Sequence, residues 1–307
     1  MKIKYTTDKS TQILISLLKA HKIRKVVASP GTTNAMFVAS IQNDKDFEVY
    51  SSVDERSAAY IACGLAQESG EPVVITCTEA TASRNYFPGL TEAYYRKLPI
   101  LAITGFHKLK NIGQLYTQAI DRSQPPKDTI KYSTNIEQCN NAEDEWYVNF
   151  EINKAILELT RDGGGPVHIN LQVGKRWDFF EEELPNVRVI HRISYNDEFP
   201  QIPEGKIAIV IGTHKRFNAN ETKAIDAFCE NHNAVVFADI ISGYYGNFRV
   251  NASILGNVSD IKNVDLLIHI GEIGWSSAKS KQTWRISEDG VLRDTYHNLT
   301  YFFDMDI

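Results

Sequence analysis

The sequence predicts an α/β protein made of two doubly wound domains with mainly parallel sheets. Short apolar runs alternate with helical stretches of ten or more residues, as they do in parallel βα units. The runs are continuously apolar rather than alternating, which fits strands that are buried on both faces. The length of 307 residues suits two domains of roughly 150 residues each. We therefore expect domains at 1–175 and 205–307, with a linker at 176–204.

Each element of the first predicted domain has a local signature. The first helix has apolar residues at helical spacing, Ile13, Leu14, Leu17 and Leu18. The third helix is rich in alanine and is expected to stop at Gly70. In chain order, the predicted elements are helix 10–21, strand 25–28, helix 34–42, strand 47–50, helix 55–68, strand 73–77, helix 84–96, strand 99–104, helix 143–159 and strand 167–171.

The second predicted domain follows a stretch without a repeating pattern. Residues 173–203 are charged and contain Pro185, which indicates a linker. Beyond it, the pattern predicts strand 207–211, helix 221–230, strand 234–238 and strand 265–270. No Gly-x-Gly-x-x-Gly fingerprint occurs, so the sequence does not predict a dinucleotide site.

Composition excludes several classes of protein. The net charge of -5 argues against a nucleic-acid-binding protein, which normally has a basic face. No apolar stretch reaches the roughly 18 residues of a membrane span, and the polar start is unlike a secretory signal. The four cysteines and eight histidines are scattered without ligand spacing, so we predict reduced thiols in a cytoplasmic protein and no metal site.

Three distinctive segments follow predicted strands, where ligands of open parallel sheets are bound. Pro30 and Gly31 follow the first strand and form either a simple tight turn or a close approach to a ligand. Glu55 follows the second strand and starts a helix. It is either a helix-start acid stabilised by the macrodipole, with Asp54 as the N-cap, or a functional carboxylate. The third segment is 78–85.

The order of these segments resembles the pyrimidine-binding domain of thiamin-diphosphate-dependent enzymes, with acetolactate-synthase-like and menaquinone-pathway-synthase-like proteins as relatives. The resemblance covers about residues 10–172, and a weaker one over 205–307 is to the Rossmann-like middle domain of that family. The segments that carry it are 29–31 (SPG), 53–60 (VDERSAAY), 77–86 (CTEATASRNY), 90–95 (LTEAYY), 98–105 (LPILAITG), Gly212, Ala238-Asp239 and 265–271 (DLLIHIG).

The resemblance implies that thiamin diphosphate is the cofactor. It gives Glu55 the role of the carboxylate that hydrogen-bonds the pyrimidine ring and favours its imino tautomer, which can take the thiazolium proton at short range. It also places other residues near the cofactor: Pro30, Gly31, Thr81, Asn85 and Gln118. Thr81 and Asn85 suit loop and helix capping equally well, and Gln118 suits a solvated loop amide equally well.

The sequence departs from the family in two respects. Glu79 stands where family members often have glycine or Ser-Gly, and it would bring a second negative charge to a cofactor-facing loop unless it points to solvent. The family's third domain binds Mg²⁺ and the diphosphate through a Gly-Asp-Gly motif. The nearest match here is Glu288-Asp289-Gly290. We therefore expect a fragment or subunit whose diphosphate-binding domain lies in cis or in trans, and no activity without that domain.

The function expected from the resemblance is that of the N-terminal portion of a 2-oxo-acid decarboxylase or carboligase, a lyase or transferase that acts on a small molecule. Its expected partners are further copies of itself, without nucleic acid or membrane. The alternative is a non-catalytic pyrimidine-domain relative that serves as a dimerisation or interaction module. A nucleotide-dependent oxidoreductase is disfavoured because the glycine fingerprint is missing.

Overall fold

The computed structural model describes residues 4–122, 124–172, 174, 179–251, 261–272 and 278–307. The chain divides into two compact units, Met1–Val189 and Ile190–Ile307. The division falls inside the segment expected to be a linker, 176–204, of which residues 176–178 lie outside the described part. From Ile190 onward, that segment belongs to the second unit and includes a strand.

The first unit contains a six-stranded sheet in which every pair of neighbouring strands is parallel. The strand order is β2-β1-β3-β4-β6-β5. The strands are β1 (Lys25–Ala28), β2 (Glu48–Ser51), β3 (Val73–Cys77), β4 (Ile100–Gly105), β5 (Tyr132–Ile136) and β6 (Val167–Leu171). Five were predicted, whereas β5 was missed because its three central residues, Ser133, Thr134 and Asn135, are polar and the strand lies at the sheet edge.

Helices cover both faces of this sheet, as the doubly wound prediction requires. They are α1 (Lys9–Ala20), α2 (Ala35–Ile41), α3 (Glu55–Ser69), α4 (Ala80–Asn85), α5 (Phe87–Tyr95) and α6 (Ala142–Glu158). One core joins α1, α2 and α6 to one face, and includes Leu14, Phe37 and Ile152. A second core joins α3 and α5 to the other face, and includes Ala62 and Leu90.

Local signals explain where the helices around the candidate site begin and end. The Asp54 carboxylate accepts a hydrogen bond from the Ser57 N–H at 2.7 Å, which confirms the predicted N-cap of α3. Gly70 ends that helix in the left-handed conformation, with φ at 68°. The predicted helix 84–96 is instead two helices. Pro88, which has no N–H to donate, lies in the first turn of the second.

The second unit contains a seven-stranded parallel sheet with the order β10-β9-β8-β11-β12-β13-β7. One helix, α7 (Ala219–His232), is described in it and packs on one face through Ile225 and Cys229. The strands are β7 (His191–Ile193), β8 (Ile207–Ile211), β9 (Val235–Ala238), β10 (Arg249–Asn251), β11 (Val264–Ile270), β12 (Ser280–Ile286) and β13 (Leu299–Phe303). The prediction of two mainly parallel α/β sheets is thus confirmed, although β7, β10, β12 and β13 were not predicted.

All four cysteines are free thiols, three of them buried and Cys139 partly buried. No helix in the described part of the chain is long and apolar enough to cross a membrane.

Candidate functional site at the carboxyl edge of the first sheet

The order of the first sheet reverses between β1 and β3, because the chain adds β2 on one side of β1 and β3 on the other. Such a reversal opens a crevice beyond the carboxyl ends of the two strands. The loops there are tied together by three hydrogen bonds. The Ser29 N–H donates to the Thr76 carbonyl at 2.8 Å, and the Asn34 amide donates to the Ser29 carbonyl at 3.0 Å and to Thr76 Oγ1 at 3.4 Å.

Gly31 is needed at the point where the loop after β1 meets the end of β3. A Cβ atom added to it would clash with the Thr78 side-chain methyl. Pro30, beside it, is exposed. Close contact between the two loops therefore explains the glycine, and it also leaves backbone rather than side chain at the mouth of the crevice.

Glu55 is the first residue of α3 and is half-buried. No group in the described part of the chain hydrogen-bonds its carboxylate, whereas the neighbouring Asp54 is occupied as the N-cap. Burial, with a smaller contribution from the charge of Glu55, raises the pKa of Cys77 to about 12. The same charge helps burial to raise the pKa of Tyr86. The Glu55 carboxylate therefore acts on the end of β3 and on the start of α5.

Several buried polar atoms line this edge without a hydrogen-bond partner among the described residues. They include Thr33 Oγ1 and Asn34 Oδ1, whereas the Tyr86 hydroxyl interacts with the side chains of Ser29 and Cys77. Tyr86 is completely buried. Buried polar groups are normally satisfied by protein, water or a ligand, so this concentration of free donors and acceptors fits a binding site.

The other three predicted cofactor neighbours are exposed. The Asn85 amide donates to the Thr81 carbonyl at 3.3 Å, one turn back in α4, so these two residues contact each other. Gln118 is exposed in a loop and has a φ of 65°, which is uncommon for a residue other than glycine. Among the described residues, no hydrogen bond joins Gln118 to Glu55 or Gly31.

Glu79 and His107 lie side by side, and the sequence did not predict this proximity. Glu79 Oε2 lies 3.0 Å from His107 Nε2, and the two side chains are 4% and 35% exposed. The glutamate therefore does not point to solvent. It precedes Ala80, whose φ of 50° marks a sharp turn between β3 and α4. His107 follows β4 just as the other site segments follow their strands, and this position was the signal available in the sequence.

Arg122 is buried near this pair, and its charge acts on Glu79. Arg122 donates to Thr104 Oγ1 at 2.9 Å and to the Gly105 carbonyl, and so holds the end of β4. His168 Nε2 lies 2.8 Å from the same Thr104 oxygen. Burial, assisted by the charge of Arg122, lowers the pKa of His168 to about 3, so this imidazole is neutral at physiological pH. Nothing in the sequence singled out Arg122.

Within the described ranges, no group of three or more histidine, cysteine, aspartate or glutamate side chains is arranged to hold a metal ion.

Known proteins are similar to this chain in sequence. Residues 8–124 match the family described as thiamine pyrophosphate enzyme, N-terminal TPP binding domain. The chain is 30% and 31% identical to the 2-succinyl-5-enolpyruvyl-6-hydroxy-3-cyclohexene-1-carboxylate synthases of Phocaeicola vulgatus and Bacteroides thetaiotaomicron. These alignments cover 98% of the chain but 58% and 59% of the relatives. A benzoylformate decarboxylase structure from Polynucleobacter necessarius is 18% identical with a TM-score of 0.48, and the match covers 92% of this chain and 56% of that one.

Proposed function

With residues 8–124 identified as a domain of the thiamine pyrophosphate enzyme family, we propose that this chain is the N-terminal part of a 2-oxo-acid decarboxylase or carboligase. In this proposal Glu55 is the carboxylate that activates the cofactor's aminopyrimidine. The observation that carries it is the Glu55 carboxylate, which is free of partners in the described structure and stands at the helix start beside the crevice. Asp54 is the N-cap of this helix, so capping leaves the Glu55 carboxylate available to a ligand.

The residues at the crevice fit an aminopyrimidine, which has both donor and acceptor nitrogens. Glu55 would hold a proton at a ring nitrogen, and the unpartnered oxygens of Thr33 and Asn34 would accept or share hydrogen bonds. Gly31 would let the ring approach the backbone. When bound, the cofactor supplies the nucleophilic carbon and the electron sink, and the chain supplies placement and proton transfer.

The proposal extends to the parts of the enzyme that this sequence does not provide. The relatives are longer, and the chain spans 58% and 59% of two of them. We place the diphosphate and Mg²⁺ site in a domain outside these 307 residues, in cis or in trans. A small-molecule 2-oxo acid is the proposed substrate, as the resemblance to thiamin-diphosphate-dependent enzymes implies.

The alternative function, a non-catalytic interaction module, has one observation in its favour. Tyr60 and Ile61 of α3 are 47% and 45% exposed. Exposed apolar residues of this kind serve association in an enzyme as well as in an interaction module, so they do not distinguish the two functions. A catalytic role of Glu55 does distinguish them.

The test uses the enzyme assembled with its diphosphate-binding domain. Exchange of the thiazolium C2 proton is followed by NMR in the wild type and in Glu55→Gln. We expect exchange to slow by about 10²–10⁴-fold, because glutamine keeps the size but cannot exchange a proton with the ring. Glu68→Gln, at the exposed far end of the same helix, is the matched control. Unchanged exchange in Glu55→Gln would leave the interaction module as the better function.

A further inference from the structure

We propose that Arg216 and Arg249 of the second unit bind a small organic anion through its carboxylate or phosphate groups, at the carboxyl edge of the second sheet. Tyr245 is the positioning residue that holds the two guanidinium groups near each other. The inference goes beyond the proposed function, because it concerns the second unit and uses no residue of the crevice in the first sheet.

The place where a doubly wound sheet commonly binds its ligand is closed in the second unit. The order of this sheet reverses at β8, which has β9 on one side and β11 on the other. Such a reversal normally opens a crevice beyond the strand ends. Here the Thr213 N–H donates to the Glu272 carbonyl at 2.6 Å, and the Glu272 N–H donates to the Thr213 carbonyl at 2.8 Å. Because this pairing joins the loops after β8 and β11, a ligand at this edge needs another place.

The loops after β8 and β9 offer such a place, because they are joined to each other on the opposite side of β8. The Phe217 N–H donates to the Gly243 carbonyl at 3.2 Å. Gly243 has a φ of 69°, and a Cβ atom added to it would clash with the Lys215 carbonyl oxygen. A glycine is therefore needed where the two loops meet, and the contact brings Arg216 of the first loop to Tyr245 of the second.

Two arginines share the ring of Tyr245. The guanidinium carbon of Arg216 lies 5.4 Å from the centre of this ring, and that of Arg249, on β10, lies 5.1 Å from it. The face of an aromatic ring attracts cations, so the tyrosine holds two like charges near each other in spite of their repulsion. Tyr245 is 64% exposed, which leaves this cluster open to a ligand from solvent.

Neither arginine has a carboxylate partner among the described residues. Arg249 donates to the Asp239 carbonyl at 3.3 Å, and its Nε atom is buried without a hydrogen-bond partner. The acidic side chains nearby are engaged in hydrogen bonds of their own. Asp239 accepts from the Ile240 N–H at 2.5 Å, and Asp226 accepts from the Tyr244 hydroxyl at 2.5 Å. The two arginines therefore form a positive site on a chain whose net charge is -5.

An anion with two acidic groups fits this arrangement. A guanidinium group is planar and presents parallel N–H donors that match two oxygens of a carboxylate or a phosphate. A molecule with two such groups can contact both arginines at once. The neighbouring Lys215 is not part of the site, because it is paired with Asp306 at 3.3 Å and with Glu288 at 3.6 Å.

The test uses the 307-residue chain and two probes, inorganic pyrophosphate for phosphate groups and glutarate for carboxylate groups. In ¹⁵N-labelled protein, ¹H–¹⁵N NMR follows the Nε–H signals of Arg216 and Arg249 during titration at constant ionic strength. We expect at least one probe to shift both signals saturably, with half-saturation at about 1 mM or below. The probe that binds more tightly identifies the acidic group that the site prefers.

Variants separate a binding site from a merely structural cluster. Arg216→Gln and Arg249→Gln should each weaken binding about tenfold, because each removes one charge-assisted contact. Tyr245→Ala should weaken binding as well, whereas Tyr245→Phe keeps the ring and should bind as the wild type does. Arg24→Gln, which removes an exposed cation from the first unit, is the matched control and should leave binding unchanged. Saturation by neither probe, or saturation that both arginine variants leave unchanged, would overturn the proposal. Since no readout involves Glu55, either result leaves the proposed function standing.

Discussion

At the scale of single residues, the site divides into what a local pattern can predict and what it cannot. Glu55 was predicted from its position after a strand and from family resemblance, and the structure puts it at the start of α3 beside an occupied N-cap. Glu79 stood out only as a departure from the family. Its partner His107 is 28 positions away in the sequence, and the two meet because β3 and β4 are neighbours in the sheet. Pairings of this kind depend on strand order.

The buried Glu79 carboxyl predicts a pH-dependent stability difference. Since its pKa is raised in the folded state, the folded chain binds this proton more tightly than the unfolded chain does. The carboxyl therefore costs stability as pH rises above about 4, the usual range of glutamate, through its folded pKa. Over that interval, we expect the free energy of unfolding of Glu79→Gln to rise relative to that of the wild type. Above the folded pKa, the difference between the two should stay constant. Urea unfolding of both proteins at a series of pH values measures this difference. A wild type whose free energy of unfolding rises relative to that of the variant would contradict the prediction.

At the scale of elements, the strands that the sequence predicted well are those that the sheet buries most completely. The bounds of β1, β3, β6 and β8 agree with prediction to the residue, and all five residues of β3, β6 and β8 are buried. Three of the missed strands, β5, β7 and β10, lie at sheet edges, and two of these have only three residues, whereas the missed strands β12 and β13 lie inside the second sheet. An edge strand pairs on one side only, so fewer of its residues need to be apolar. It forms by pairing with residues that are distant in the sequence, and a local sequence pattern does not reveal such pairing.

The contact between the loop after β1 and the end of β3 can be tested by a double-mutant cycle. Gly31→Ala should destabilise the chain by about 1–3 kcal/mol, since its Cβ would clash with the Thr78 methyl. Thr78→Ser removes that methyl, so we expect the double variant to recover much of the loss. Gly64→Ala is the control. Gly64 lies exposed in α3 with nothing within 4 Å of an added Cβ, so alanine there should stabilise by about 0.5–1 kcal/mol. Additive losses at Gly31 and Thr78 would refute the contact.

At the scale of the whole molecule, the chain contains one half of a proposed cofactor site. The carboxyl edge of the first sheet offers groups suited to an aminopyrimidine, whereas the sequence has no Gly-Asp-Gly motif of the kind that binds diphosphate in the family. We expect residues 1–307 alone, supplied with thiamin diphosphate and Mg²⁺, not to turn over pyruvate. Release of CO₂, followed in a coupled assay, measures this, and steady turnover by the purified chain would show that the diphosphate site lies within it.

The exposed stripe of α3 leads to the prediction of a homo-oligomer. Ser57, Tyr60, Ile61 and Gly64 are all exposed, and their spacing of three and four residues puts them on one side of the helix. Large exposed apolar side chains beside a glycine allow a second helix to approach closely, and such patches mark association sites.

We expect light scattering at tens of micromolar protein to give at least the mass of a dimer. Ile61→Lys should lower this mass to that of the monomer, because a lysine ammonium is costly to bury without a partner. Ile241→Lys, at a residue of the second unit that is 57% exposed, controls for the added charge and should keep the wild-type mass. A wild type that is monomeric throughout this range, or an Ile61→Lys protein that associates as before, would rule out α3 as the interface.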